Sequence, residues 1–328
     1  MNQEEQYWLD ILMYNKGFET PTQWIEYAKH NKFQKVKATR INCCPDCGCN
    51  NSNPLGQYVY YSTLITLQHC KECDLIFSNT HIDANVLAEH FELAYKDEAY
   101  FSLQRDQIFN CIAYLADINT PDKGKVLDIG GGLGHTLAIL KIRRPDLSLT
   151  LNDISEAACR YASEKNSLVT ICSPVRELVE LKQKYDVVML IDVIYYEPEI
   201  RNMWNIINML LNEDGTLILR VPNKLLLIGL YQKLSNFFTR KDFTGKSSIK
   251  FFNPEHIFIC SRKYLKKRLA DLGFQSIEML PSPLLVRSGF LARLYHSYYQ
   301  TALILHRLTF GRTIVTPSFL VIARKFGH

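Results

Sequence analysis

Two periodicities divide the chain. Between Gln57 and His69 the run QYVYYSTLITLQH alternates and is rich in β-branched and aromatic residues, the pattern of β-strand. From Lys125 onward, short apolar runs bounded by turn residues take turns with stretches of helical spacing. KVLDI (125–129) reads as a buried strand and GGGLG (130–134) as a turn. HTLAILKIRR (135–144) reads as a helix that stops before Pro145, and LSLTLND (147–153) as the next strand. Strand, helix, strand in that order is a βαβ unit, so a parallel sheet is expected. Helical spacing also marks 3–15 and 20–30, and again 84–101 and 103–118, the last two as linkers between the regions. RKYLKKRLADLG (262–273) is a further helix, ended by Gly273.

Composition adds bounds. A chain of 328 residues, 47% hydrophobic and 22% charged, is of ordinary globular character and long enough for about two domains. The net charge, 38 − 33 = +5, does not by itself imply nucleic acid. Its distribution is uneven: from Met279 to His328 there is no Asp or Glu, while Arg287, Arg293, Arg307, Arg312, Arg324 and Lys325 are present. Such a block favours an anionic partner or forms a solvated basic face. The stretch 224–252 is apolar and basic with Asp242 its sole acid; it reads as a lid, with an interfacial amphipathic segment as the rival. No run of 18 apolar residues occurs and the first residues are acidic, so neither a membrane span nor a secretory signal is expected. A cytoplasmic setting is expected, in which thiols stay reduced.

That setting bears on the cysteines. Cys44 and Cys47 form one Cys-x-x-Cys pair, and Cys70 and Cys73 form another. Each such turn offers two sulfurs to one point, so four thiolates can surround one Zn²⁺ as a tetrahedron. With a strand between the pairs, the pattern is a zinc ribbon, a hairpin with a metal knuckle at its ends. Pro45 and Gly48 suit the tight first knuckle. An all-cysteine set leaves no open position, so the expected role is structural. Cys43 and Cys49 flank the first knuckle, and His69 is an alternative ligand.

The glycine turn departs from a dinucleotide fingerprint, which wants glycines at positions one, three and six. Counting from Gly130, Gly132 stands at three, Gly134 at five and His135 at six. Asp128 at the strand end would repel a pyrophosphate held at the helix N-terminus. It suits a cationic ligand, such as the ammonium of S-adenosylmethionine. Asp153 closes the second strand, where a carboxylate can accept from ribose hydroxyls; the plainer role is a negative charge ahead of a helix.

VLDIGGGLG followed by LTLND resembles the class I S-adenosylmethionine-dependent methyltransferases. Later blocks agree in order: YDVVMLIDVIYYEPE (185–199) resembles the fourth strand and its loop, LLNEDGTLILRVPN (210–223) the fifth strand, and SFLVIARK (318–325) the final antiparallel strand. The Cys₄ module resembles that of a subgroup with an N-terminal ribbon, found in sugar, polysaccharide and natural-product pathways. The resemblance implies a doubly wound, seven-stranded, mostly parallel α/β sheet. It implies cofactor contacts at Asp128, Gly130, Gly132, Gly134, Asp153, Ser173 and Asp192. Ser173 stands where relatives often carry the Asp that holds the adenine amino group. Tyr195 and Tyr196 stand where they often have Glu and His, so another base is needed for a hydroxyl acceptor. His256 is the candidate, with Tyr195 and Tyr196 as further catalytic candidates; a structural role for His256 is the alternative.

The expected organisation is a helical segment at 1–39, a zinc ribbon at 40–80 and a methyltransferase domain at 81–328 with linker helices at 83–118. The expected reaction is methyl transfer to a small-molecule, nucleotide-sugar or glycan-type acceptor, at oxygen first and at carbon or nitrogen otherwise. No nucleic-acid partner is expected, and a weak membrane-surface contact through the basic C-terminal part stays open. The rival from another class is a non-catalytic ribbon module that grips nucleic acid or an anionic surface and carries a vestigial cofactor fold.

Overall fold

The computed structural model describes residues 38–60, 63–82, 92, 95, 105–226, 256–285 and 290–326. The helices expected at 3–15 and 20–30, most of the linker at 84–101 and nearly all of the lid segment lie outside the described residues. The chain divides into two compact units, one from Met1–Leu87 and Lys224–Ile259, the other from Ala88–Asn223 and Cys260–His328.

The first unit begins with β1 (Ala38–Arg40), followed by β2 (Ser52–Tyr60), β3 (Thr63–Cys70), β4 (Ile76–Ser78) and β5 (Thr80–Ile82). β2, β3 and β4 form an antiparallel sheet, and β1 pairs with β5. The β2–β3 register slips between Pro54 and Gly56, where proline has no N–H to give the ladder. Ile65, Leu67, Ile76 and Phe77 are buried and supply the apolar face of this small sheet. This is the hairpin that the alternating run predicted.

The second unit carries α1 (Asp106–Asn119), then β6 (Lys125–Ile129), α2 (His135–Arg143), β7 (Ser148–Asp153), α3 (Glu156–Asn166) and β8 (Val169–Cys172). β9 (Tyr185–Ile191), α4 (Ile200–Leu210) and β10 (Leu211–Pro222) follow. The chain returns to the first unit for β11 (Phe258–Ile259), which pairs antiparallel with β4. It completes the second unit with α5 (Arg262–Asp271), β12 (Ser276–Pro281), α6 (Phe290–Leu308) and β13 (Ser318–Arg324). The Phe258↔Phe77 and Ile259↔Ile76 pairings, with Ser78 N donating to Ile257 O at 2.9 Å, attach this stretch to the ribbon sheet. Compactness therefore does not follow the sequence boundary at 80/81, because main-chain pairing ties a late strand to the early hairpin.

The seven strands lie in the order β12-β13-β10-β9-β6-β7-β8. β13 runs antiparallel to both its neighbours, and the remaining pairings are parallel. This is the doubly wound, mostly parallel sheet expected. β6 and β9 are buried apolar runs, as strands covered on both faces must be. On one face Ile108, Ile112, Leu137 and Leu140 pack against Val126, Leu151 and Met189. Elsewhere Trp204 of α4 donates its indole N–H to the Tyr264 hydroxyl of α5 at 2.8 Å, both fully buried. The order reverses between β6 and its neighbours β7 and β9, so a crevice opens at their carboxyl ends.

Candidate cofactor site and metal clip

The glycine turn fills that crevice. Gly130 has φ +65°, and a Cβ there would stand 2.6 Å from a methyl of Val193, just past β9. Only glycine allows both the left-handed backbone and the close approach of the two strand ends. Gly131 N donates to Asn152 O at 3.1 Å, which ties the turn to β7. Gly134, also left-handed, caps α2.

Two carboxylates meet this turn and are treated differently. Asp153 is buried; its Oδ2 accepts from Gly132 N at 2.9 Å and its Oδ1 from Ser155 N at 3.0 Å. Burial raises its pKa despite those backbone donors. Each oxygen keeps a lone pair for a further donor. Asp128 is buried at the end of β6, and its Oδ1 has no hydrogen-bond partner among the described residues. Burial, helped by the Asp153 charge, pushes its pKa up to about 8.

Ser173, Asp192, Tyr195 and Tyr196 follow strands of the same sheet at that edge. Ser173 follows β8; its N–H donates to Asp153 O at 3.2 Å, and its hydroxyl lies 3.4 Å from Pro174 O. Asp192 follows β9 with φ +61° and is ion-paired to Arg220 of β10. Arg220 in turn donates from Nε to Ser282 Oγ at 2.8 Å. Tyr195 is buried and Tyr196 half-buried, with ring centroids 4.7 Å apart. Burial drives the Tyr195 phenol well above its ordinary value, so at neutral pH it is a donor and a packing surface. Glu197, in the same loop, is also raised by burial. His256 is buried in the first unit, two residues before β11.

Three residues near the site escaped the sequence reading. Glu92 accepts from Ser155 Oγ at 2.6 Å and Ala157 N at 3.2 Å, so it caps α3 beside Asp153. Tyr95 has its hydroxyl 3.0 Å from where a Cβ on Gly132 would stand. The i, i+3 spacing of these two puts them on one helical face, the sole signal the linker pattern offered. Arg220 was visible as a lone cation within the apolar run of β10.

The four cysteines converge as expected. Sγ atoms of Cys44, Cys47, Cys70 and Cys73 lie within 4.8 Å of one another, with Cys44–Cys73 and Cys47–Cys70 each at 3.5 Å. The edge of a Zn–S tetrahedron is about 3.8 Å for bonds of about 2.3 Å, so the set fits the ion. The two knuckles share one backbone scheme. Cys44 N donates to Cys49 O and Cys70 N to Leu75 O, while Gly48 N donates to Cys44 O and Asp74 N to Cys70 O. Gly48 and Asp74 are both left-handed, φ +77° and +70°. The Cys73 thiol lowers Cys44 to about 5, and the same hydrogen bond pushes Cys73 far up. Thiols this crowded cannot all ionise without a cation among them. His69 bonds Asp74 Oδ1 at 3.0 Å, and Cys43 and Cys49 stand outside the four-sulfur group.

A family model described as Methyltransferase domain matches residues 100–279. Malonyl-[acyl-carrier protein] O-methyltransferase of Acetivibrio thermocellus is 28% identical over 140 residues, 42% of this chain. The chain spans about half (49%) of that curated relative's length. Similar solved structures include an S-adenosylmethionine-dependent methyltransferase from Archaeoglobus fulgidus, with TM-score 0.46 and 17% identity over 72% of this chain and 99% of that one. Magnesium protoporphyrin IX methyltransferase from Synechocystis PCC 6803 has TM-score 0.45 and 19% identity over 74% of this chain and 100% of that one.

Proposed function

The chain belongs to the methyltransferase-domain family, and on that premise we propose that it moves the methyl group of S-adenosylmethionine to an oxygen of a small-molecule or glycan-type acceptor. The observation that carries the reading is Asp128, a buried carboxylate with an unpartnered oxygen beside the glycine turn. A buried acid in that state is costly and fits an incoming cation. The cofactor, when bound, supplies an already activated methyl group, so the protein mainly binds and aligns.

Asp128 would take the ammonium, and Asp153 has lone pairs left for the ribose hydroxyls. Ser173 would take the adenine amino group. Asp192 already faces Arg220 and contributes chiefly by fixing the loop that carries Tyr195 and Tyr196. Those tyrosines would shape the acceptor side as donors. Deprotonation of an acceptor hydroxyl falls to His256 in this reading. Oxygen is favoured as the methylated atom because the curated relative is named an O-methyltransferase. Cys44, Cys47, Cys70 and Cys73 would hold a structural Zn²⁺. Among the described residues no helix is long and apolar enough to cross a membrane; a cytoplasmic setting would keep the clip's thiols reduced and free to hold Zn²⁺.

Calorimetric titration with S-adenosylmethionine and S-adenosylhomocysteine, with NADH as control, tests the cofactor. Micromolar binding that Asp153→Ala weakens supports the reading; adenosyl ligands that fail on a folded, zinc-loaded protein defeat it. Nucleotide sugars open the acceptor screen. With an acceptor in hand, His256→Ala should abolish turnover while cofactor binding persists, and unchanged turnover would remove His256 as the base.

A further inference from the structure

The acid-free C-terminal block builds a surface that methyl transfer does not use. α6 leaves the sheet at Pro281 and the chain returns at Ser318. β12 runs in the same sense as β6, so both points lie at the edge that carries the glycine turn. Among the described residues the helix is tied to its own unit at a few points, the Tyr298 hydroxyl donating to Val315 O at 2.6 Å and His306 Nδ1 meeting Thr313 O at 3.0 Å. Ala302 and His306 are its buried side chains among those described, and the Tyr299 hydroxyl lies 3.4 Å from Pro281 O.

Its outer side carries an apolar stripe in which Ser297 and Thr301 are the polar members. Leu294, Ile304, Leu305 and Leu308 fall within roughly a third of the helical circumference at 100° per residue, and all are exposed, Leu308 at 72%. Phe310, in the turn after the helix, is 93% exposed. Arg293 and Arg307 border this stripe on one side, Tyr298 borders it on the other, and Arg312 follows the helix, all exposed. Arg262 at the start of α5 donates to Arg312 O at 2.7 Å and adds a cation at the base.

We infer that α6 and the turn after it form an interfacial anchor that seats the cofactor-bearing edge on an anionic lipid surface. An apolar stripe bordered by arginines and followed by an exposed aromatic is the make-up of a helix lying in the headgroup region. A second copy of the chain is the competing occupant, and charge argues against it. Pairing this face with itself would bring arginine towards arginine, and no acid occurs from Met279 to His328 to offset them. Anionic headgroups complement the same cations, each worth about fivefold in binding. Combined with the methyltransferase reading, on which this step alone rests, the anchor makes the acceptor a membrane-embedded or lipid-linked molecule.

Cosedimentation of the full chain with vesicles tests the anchor without any activity readout. Vesicles of phosphatidylcholine alone are compared with vesicles holding about one third phosphatidylglycerol, at low and high salt. Binding to the anionic vesicles should fall with salt and drop about tenfold or more in the Leu305→Glu/Leu308→Glu protein. It should drop about 100-fold in the Arg293→Ser/Arg307→Ser/Arg312→Ser protein, with both variants melting like the parent. Absence of vesicle binding, or binding that neither variant weakens, overturns the inference. A stable dimer that Leu305→Glu/Leu308→Glu dissociates also overturns it, in favour of the second copy. Because the vesicle measurement does not depend on methyl transfer, failure here leaves the cofactor reading standing, and the reverse.

Discussion

Asp128 and Asp192 end neighbouring parallel strands at one edge of the sheet, yet the fold treats them in opposite ways. Asp192 has a guanidinium against it, itself held by Ser282. Asp128 has burial and a second carboxylate nearby, and no cation; one buried oxygen of each acid lacks a hydrogen-bond partner among the described residues, so the guanidinium is what separates them. One acid is neutralised by an internal cation; the other is neutralised by a proton until a cation arrives from outside. A site that binds a cation must leave some acid without an internal cation, and the fold tolerates that at one strand end while ion-pairing its neighbour.

The sharpest way to break this contrast is to make the same change at both. Asp128→Asn should weaken S-adenosylmethionine about 100-fold or more, since a buried ionic partner is lost. The cofactor-free protein should become more stable. With the folded-state pKa about 8 and the reference value 3.8, the proton is held more tightly in the native state. That contribution is full below about pH 4 and is lost as pH rises through about 8. The gain in melting temperature from Asp128→Asn should therefore widen from pH 5 to pH 8, reaching about 5 °C. A variant that melts lower at pH 8 would show that Asp128 is compensated after all.

Asp192→Asn should go the other way. It leaves Arg220, a buried cation, with Ser282 and an amide. The expected loss is about 3 kcal/mol in urea unfolding, with little change in cofactor affinity. Replacing both partners, as Asp192→Leu/Arg220→Met, should restore most of that stability, because no charge is then stranded.

The sequence treated these two acids alike, and that marks the limit of its legibility. Strand, turn and helix were legible because burial on both sheet faces imposes apolar runs, and the turn after β6 demands glycine at 130. The Cys₄ clip was legible because two short turns must deliver four sulfurs to one point. The Asp192–Arg220 pair joins residues 28 positions apart across two strands, and local periodicity carries no trace of such a pairing. Glu92 and Tyr95 were hidden for a related reason: they reach the site from a linker whose pattern says helix but not which face meets the turn. The attachment of β11 to the ribbon sheet rests on main-chain bonding, which side-chain patterning does not encode.

A smaller effect follows from pH. The incoming ammonium prefers ionised Asp128, which the empty site protonates below about 8. Binding must then expel a proton, and affinity should fall up to about tenfold for each unit below pH 8. The α-amino group of the ligand itself titrates near ~7.7–8.0, so affinity should peak close to pH 8 and decline on both sides. Calorimetry in buffers of different ionisation heat should register proton release at pH 7, absent in Asp128→Asn. A flat profile between pH 6 and 8 would mean that Asp128 is ionised before the ligand arrives.

The smallest expected change probes the far end of the compensated acid. Ser282 is fully buried; its hydroxyl accepts from Arg220 Nε at 2.8 Å and lies 3.2 Å from Pro283 O. Ser282→Ala should cost about 1.5 kcal/mol, the low end for a hydrogen bond to a charged group, and leave cofactor affinity untouched. Combined with Asp192→Asn, the two losses should not add, since both act on one guanidinium. A coupling of about 0.5 kcal/mol or more in a double-mutant cycle would show Ser282, Arg220 and Asp192 acting as one unit. Strict additivity would mean that Arg220 is anchored by its strand alone, and the left-handed backbone at Asp192 would then need another cause.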